Sequence, residues 1–130
     1  MIDKRKYIQS IFSRGHCTIF NNELYKDLKY FQRDLKEVII VDNTPRNYTF
    51  QKSNGIPITT WRGEKNDKGL MMIVDILEFL ADVNDVRYYI SQFVYNDQID
   101  FTKAFKIISE KKQSNQNSPR PYFLKPLKAC

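Results

Sequence analysis

Between Glu37 and Pro45 the chain reads EVIIVDNTP. Four β-branched apolar residues, Val38, Ile39, Ile40 and Val41, are followed by an acid, an amide, a hydroxyl and a proline. An unbroken apolar run of this length is the pattern of a strand buried on both faces. Asp42, Asn43, Thr44 and Pro45 end it with turn chemistry. In open α/β sheets, polar groups just past the carboxyl end of such a strand sit where ligands bind. The run therefore predicts a central strand with a candidate site at its end.

Elsewhere the pattern alternates between helical and extended spacing. Tyr7, Ile8, Ile11 and Phe12 predict a first helix over residues 3–13, with Gly15 as its stop. CTIF, then Asn21-Asn22, then Leu24-Tyr25 reads as a hairpin. Residues 27–33 predict a short helical turn with Leu28 and Phe31 inward. RNYTFQKSNGIPITTW reads as extended and turn-rich, with Ile56 to Trp61 a strand that Pro57 confines to a sheet edge or a strand start. Asp67 is a candidate cap for a helix that buries Leu70, Ile73, Val74, Leu77, Leu80 and Ala81. Residues 85–94 form another, with Val86, Tyr89, Ile90 and Phe93 inward, and residues 101–109 one more. EKKQSNQN is too polar to predict order, and three prolines extend SPRPYFLKPLKAC. In that tail Tyr122, Phe123, Leu124 and Leu127 read as anchors for a groove on a partner.

Composition adds bounds. At 130 residues the chain makes about one domain. No run of about 18 apolar residues exists to span a membrane. The net charge of +6 is not spread evenly. Residues 1–102 carry 14 Lys and Arg against 14 Asp and Glu, whereas residues 103–130 carry 7 against 1. The basic character thus belongs to the tail, which suits RNA, an acidic membrane surface or an acidic protein groove. Cys17 and Cys130 match no metal spacing and read as reduced thiols. His16 beside Cys17 reads as a strand start with a buried cysteine, because neighbours on a strand point to opposite faces.

FSRGHCTIF, YKDLKYFQRDLKEVIIVDNTPRNYTFQ, NGIPITTW and DVRYYI, in this order, resemble the carboxyl-terminal half of the NLI-interacting-factor-like phosphatase domain of the haloacid dehalogenase superfamily. That domain is shared by small CTD phosphatases, dullard-type phosphatases and the presequence-receptor subunit of the mitochondrial inner-membrane translocase. The resemblance covers residues 3–93. It implies an α/β fold, a parallel sheet flanked by helices, and Mg²⁺-dependent chemistry through an aspartyl-phosphate. It also implies roles by position: Lys26 holds phosphoryl oxygens, Asn43 ligates Mg²⁺ and Asp42 supports it. A fixed cation and a divalent ion suit a transition state whose charge spreads over peripheral oxygens.

The family's nucleophile motif, Asp-x-Asp-x-Thr, does not occur in these 130 residues. By the resemblance the chain starts downstream of it, so the expected fold is a partial sheet lacking the nucleophile strand. The expected organisation is a truncated phosphatase-like domain over 1–94, a helical extension over 95–112 and an extended basic tail over 113–130. Without its neighbour, the edge of Val38 to Val41 is expected to be bare, and soluble proteins cover such edges. The leading expectation is a non-catalytic, phosphatase-derived subunit of a larger assembly with other protein subunits as partners, one of them over that edge. Its expected compartment is mitochondrial, with nucleus or cytoplasm as the alternative. No cofactor is expected, with Mg²⁺ entering only if another chain brings the missing half. The alternatives are one half of a split phosphatase and an RNA- or ribosome-associated protein acting through the tail.

Overall fold

The computed structural model describes residues 7–116. The first regular elements are β1 (Thr18–Phe20) and β2 (Glu23–Tyr25), an antiparallel hairpin pairing Thr18 with Tyr25 and Phe20 with Glu23. Its two-residue loop, Asn21-Asn22, has φ of 50° and 62°. Positive φ at both positions matches the right-handed twist of hairpin strands, and asparagine tolerates it better than most residues. Among the described residues the expected helix before it is not formed. Residues 7–13 take no regular structure, and a single 3₁₀ turn covers Arg14–His16. Every side chain of 7–13 is exposed, and a short helix without an apolar face to bury is marginal in water. Cys17 is half-buried rather than buried.

Two more 3₁₀ turns lead to the apolar run. Leu28–Phe31 is capped by Asp27, and Leu35–Glu37 by Asp34, each carboxylate accepting a backbone N–H two residues on at 3.0 Å. Leu28 is buried as expected, but Phe31 remains 38% exposed. The strand at the end of the run is β3 (Ile40–Asp42). Its partner, β4 (Gly55–Pro57), runs parallel to it, with Ile40 opposite Gly55 and Asp42 opposite Pro57. The ladder passes the donor-less proline by using Ile58, whose N–H donates to the Asp42 carbonyl at 3.2 Å. β4 stops there, so the strand is shorter than the expected Ile56 to Trp61.

The segment joining β3 to β4 is helical rather than extended. Pro45–Asn54 consists of 3₁₀ turns with kinks at Tyr48 and Gln51. Thr44 followed by Pro45 is a helix-start signature, since proline at the first position has no N–H to leave unpaired. Tyr48, Gln51 and Asn54 are all buried, which ties this connection to the body of the fold.

Three helices cover one side. They are α1 (Gly69–Ala81), α2 (Val86–Phe93) and α3 (Phe101–Gln116), and a second small hairpin, β5 (Val94–Tyr95) and β6 (Gln98–Ile99), separates the last two. Asp85 caps α2 through the Arg87 N–H, and Asp100 accepts the Lys103 N–H at the start of α3. Ile56 of β4 meets Ile73, Ile76 and Leu80 of α1, Val86, Ile90 and Phe93 of α2, and Ala104 and Ile108 of α3 in one core. Burying each large side chain there contributes about 1.5–3 kcal/mol.

On α1 the buried stripe is Ile73, Ile76 and Leu80. Leu70, Val74 and Ala81, expected inward, are exposed, and Leu77 is half-buried. At about 100° per residue those positions form a second row roughly a quarter turn round the helix. The described packing partners bury the first row and reach only Leu77 of the second. α3 runs on to Gln116, through residues expected to be disordered. Its packed first half, good helix formers in EKKQ and the Lys106–Glu110 pair one turn apart favour propagation. Of the three small two-stranded sheets among the described residues, only β3 and β4 are parallel, and the architecture is mixed α/β.

Candidate functional site

Lys26 follows β2, and Asp42 ends β3. Sixteen residues apart in sequence, they meet because both are fastened to the 45–54 segment. The backbone N–H of Lys26 donates to the Asn47 carbonyl at 2.6 Å. The Lys26 ammonium donates to Asp42 Oδ2 in an ion pair, with the Lys26 side chain 51% exposed and that of Asp42 only 2%. On the other oxygen, Asp42 Oδ1 accepts the Thr44 N–H at 2.7 Å and, at 3.4 Å, the Asn47 side-chain amide.

This pattern is how a buried carboxylate is tolerated. Taking the charge from water costs several kcal/mol unless donors replace the lost hydration. Asp42 receives donors on both oxygens, one of them a cation. Its charge is therefore answered from within the chain. Asn43 is exposed, and its Nδ2 donates to Thr60 Oγ1 at 2.9 Å. That leaves Oδ1, a hard oxygen, as the atom to offer a cation. Mg²⁺ prefers six oxygens, and no group of three His, Cys, Asp or Glu residues among the described residues could hold a metal ion.

The structure thus brings Lys26 and Asp42 into direct contact and sets Asn43 next to them in the chain. The apolar run behind them is half-buried from Val38 to Val41. β3 pairs with β4 on one side, and no described strand pairs with it on the other. Tyr122, Phe123, Leu124 and Leu127 lie outside the described residues.

Four further residues shape the site and were not singled out in the sequence. Asn47 touches both members of the ion pair. Gln51 is 5% exposed; its Oε1 accepts the Leu28 N–H at 3.0 Å, and its Nε2 donates to Asp27 Oδ1 at 2.8 Å. Asn54, 1% exposed, donates through Nδ2 to the carbonyls of Leu35 at 2.6 Å and Val38 at 2.7 Å, pinning the start of the run. Tyr48 packs its ring on Gly55. Burial first, then the negative charges of Asp97 and Asp42, push its hydroxyl up to about 12. The Thr44-Pro45 helix start was the available signal, and reading 46–61 as extended hid all four.

Comparison with known proteins gives the family. Residues 1–87 match the family described as NLI interacting factor-like phosphatase. Over 110 residues the chain is 39% identical to "CTD small phosphatase-like protein 2" of Dictyostelium discoideum, covering 85% of this chain and 18% of that protein. It is 31% identical over 97 residues to "CTD nuclear envelope phosphatase 1" of Xenopus tropicalis, covering 75% and 40%. With the "Mitochondrial import inner membrane translocase subunit tim50" of Neurospora crassa it shares 39% identity over 94 residues, covering 71% and 17%. The chain therefore spans well under half the length of each of these three relatives. With two thirds of its length inside the matched region, and a Lys26–Asp42 pair at the end of a parallel strand, the chain belongs to the NLI interacting factor-like phosphatase family.

Proposed function

We propose that a polypeptide of these 130 residues acts as a phosphatase-derived interaction module that does not hydrolyse phosphoesters by itself. The observation that carries this reading is an ordered half-site, Lys26 with Asp42 and Asn43, in a sequence that contains no Asp-x-Asp-x-Thr. Without a carboxylate nucleophile there is no covalent intermediate to form. What the chain offers is surface. The outer side of β3, the Val38 to Val41 run and the exposed row of Leu70 and Val74 on α1 suit a protein partner that adds a strand and an apolar face. In this reading the sheet is a partial haloacid-dehalogenase sheet that a partner completes.

The setting we propose first is a mitochondrial assembly of protein subunits, with nucleus or cytoplasm as the alternative. Relatives at comparable identity are named for the mitochondrial inner membrane and for the nuclear envelope. No helix among the described residues is long and apolar enough to cross a membrane. RNA binding through the basic tail gains no support from the fold or from the relatives.

The test joins light scattering to hydrogen exchange on the purified chain. Amides of residues 38–41 that face away from the β3–β4 ladder are expected to exchange fast in the free chain and to become protected in the assembly. A well-folded monomer in which those amides are already protected overturns the proposal.

The arrangement of Lys26 and Asn43 favours a second reading, a half-site that works when another chain supplies the nucleophile strand. Here Lys26 would neutralise phosphoryl oxygens, Asp42 would hold the lysine in place, and Asn43 would supply one oxygen to Mg²⁺. Adding a separately expressed segment bearing Asp-x-Asp-x-Thr separates the two. Mg²⁺-dependent hydrolysis of p-nitrophenyl phosphate that appears only in the mixture, and is lost in Lys26→Met, establishes the split enzyme. No activity in the mixture leaves the interaction module standing, and hydrolysis by the chain alone sinks both.

A further inference from the structure

The ion pair at the end of β3 poses a problem of geometry. Lys26 is half-exposed on a flexible four-carbon stem, and a lysine of that kind ordinarily samples many rotamers and pairs weakly. A fixed lysine needs its backbone held against the element that carries its partner. Three hydrogen bonds do this within residues 26–28. One runs from the Lys26 N–H to the Asn47 carbonyl, and the other two belong to the side chain of Gln51. Asp42 is held by the same segment through the Thr44 N–H and the Asn47 amide.

We infer that Gln51 is a positioning residue, which sets Lys26 on Asp42 by clamping the Leu28 N–H and the Asp27 carboxylate to the 45–54 segment. The inference rests on the reading of Lys26 and Asp42 as a half-site, and it adds a residue that touches neither of them. Gln51 suits the task because one primary amide both accepts and donates. Its oxygen takes the Leu28 N–H while its nitrogen gives to Asp27 Oδ1, the same oxygen that accepts the Lys29 N–H. A carboxylate at position 51 could accept but not donate, and it would face Asp27 across hydrogen-bond distance. A leucine could do neither, and it would leave the buried Leu28 N–H without a partner.

The two roles open to Gln51, structural support and positioning, predict different results in a mutant cycle. Lys26→Met and Asp42→Asn are made singly and together in the 130-residue chain, and their coupling is read from urea unfolding. The same cycle is repeated with Gln51→Leu. With Gln51 present, the pair is expected to show coupling of about threefold or more in the unfolding constant, the size seen for well-held ion pairs. With Gln51→Leu, coupling is expected to fall to about onefold. A residue that only supports the fold would lower every stability alike and leave the coupling unchanged, and that outcome overturns the inference.

Two further arms guard against a chain that fails to fold. If Asp42→Asn does not fold, Lys26→Met against Gln51→Leu is read alone, and additive effects refute positioning. Gln51→Glu, which keeps the acceptor for the Leu28 N–H but loses the donor to Asp27 Oδ1, is expected to lose the coupling. Undiminished coupling in folded Gln51→Glu also counts against the inference. None of these measurements involves phosphate, so absence of hydrolysis in the two-chain mixture bears on the half-site reading and leaves this one intact.

Discussion

Gly55→Ala is the sharpest probe of how the site is supported. Gly55 has φ −96° and ψ 131°, values any residue adopts, so its backbone does not require glycine. Space does. A Cβ built there would lie 1.9 Å from Cε2 of Tyr48, 2.5 Å from Cδ2 and 2.6 Å from Cζ. Carbon atoms in good contact sit about 3.5–4.0 Å apart, so a gap of about 1.5 Å must open. Tyr48 is 2% exposed and cannot swing aside into water. Overpacking a core typically costs about 1–3 kcal/mol, and a clash this deep against a buried ring belongs at the top of that range. Replacing glycine by alanine also narrows the unfolded ensemble, which returns about 0.4–1 kcal/mol. The clash wins, leaving a net loss of about 2 kcal/mol. With a urea m-value of about 1–2 kcal/mol per molar, the midpoint should fall by about 1–2 M at unchanged m. Because the atoms met are ring carbons, Tyr48→Phe should not relieve the loss, whereas Tyr48→Leu should relieve part of it. A Gly55→Ala midpoint equal to or above that of the native chain would refute the packing of Tyr48 on β4.

Asn54→Ala removes the donor to two carbonyls at the entrance to the apolar run, and it should cost about 1–3 kcal/mol by urea unfolding, with faster exchange of the following amides. Tyr48 is neutral in the folded state up to about 12 against an ordinary value of 10.0, so stability is complete below pH 10 and is lost as pH rises towards 12. Tyr48→Phe should flatten that alkaline decline, and one of the eight tyrosines should ionise late by ultraviolet absorbance. Asp85 caps α2, and its hydrogen bond with the Arg87 side chain, foremost among the causes, holds its carboxyl at about 2. Its contribution is present above about pH 4 and lost as pH falls towards 2, so Asp85→Ala should weaken the acid dependence of α2 helicity followed by NMR.

What was legible in the sequence follows how local each signal is. The hairpin at Asn21-Asn22, the start of α2 at Asp85 and its inward face depend on neighbours within a few residues, and each is seen in the fold. The β5–β6 hairpin carries the same signal, Asn96-Asp97 with φ of 48° and 58°, and was overlooked because its strands are two residues each. The predicted first helix failed for a different reason, since spacing marks a face but cannot provide a surface for it to bury against. α1 shows the converse: its apolar positions are wide enough for two faces, and only tertiary packing selects Ile73, Ile76 and Leu80. At the site, Lys26, Asp42 and Asn43 were identified through the family resemblance. The supporting amides Asn47, Gln51 and Asn54 were not, because an amide looks like loop composition until its long-range hydrogen bonds are seen.

The electrostatics of the half-site constrain any strand that joins β3. Asp42 is nearly inaccessible and has both oxygens engaged, so its charge is answered from within the chain. Lys26 has one acidic partner and half of its side chain in solvent. An arriving group therefore meets the ammonium rather than the carboxylate. In the proposed reading this favours a partner strand that ends in an acid near Lys26, since two opposite charges can share one lysine, and it disfavours a basic end, which would face an ammonium with no free carboxylate to offset it. The preference rests on Lys26 being held in place. A lysine free to swing into water could avoid either partner and would discriminate little, so the rigidity that Gln51 provides at the backbone is what would make the charge at this edge selective.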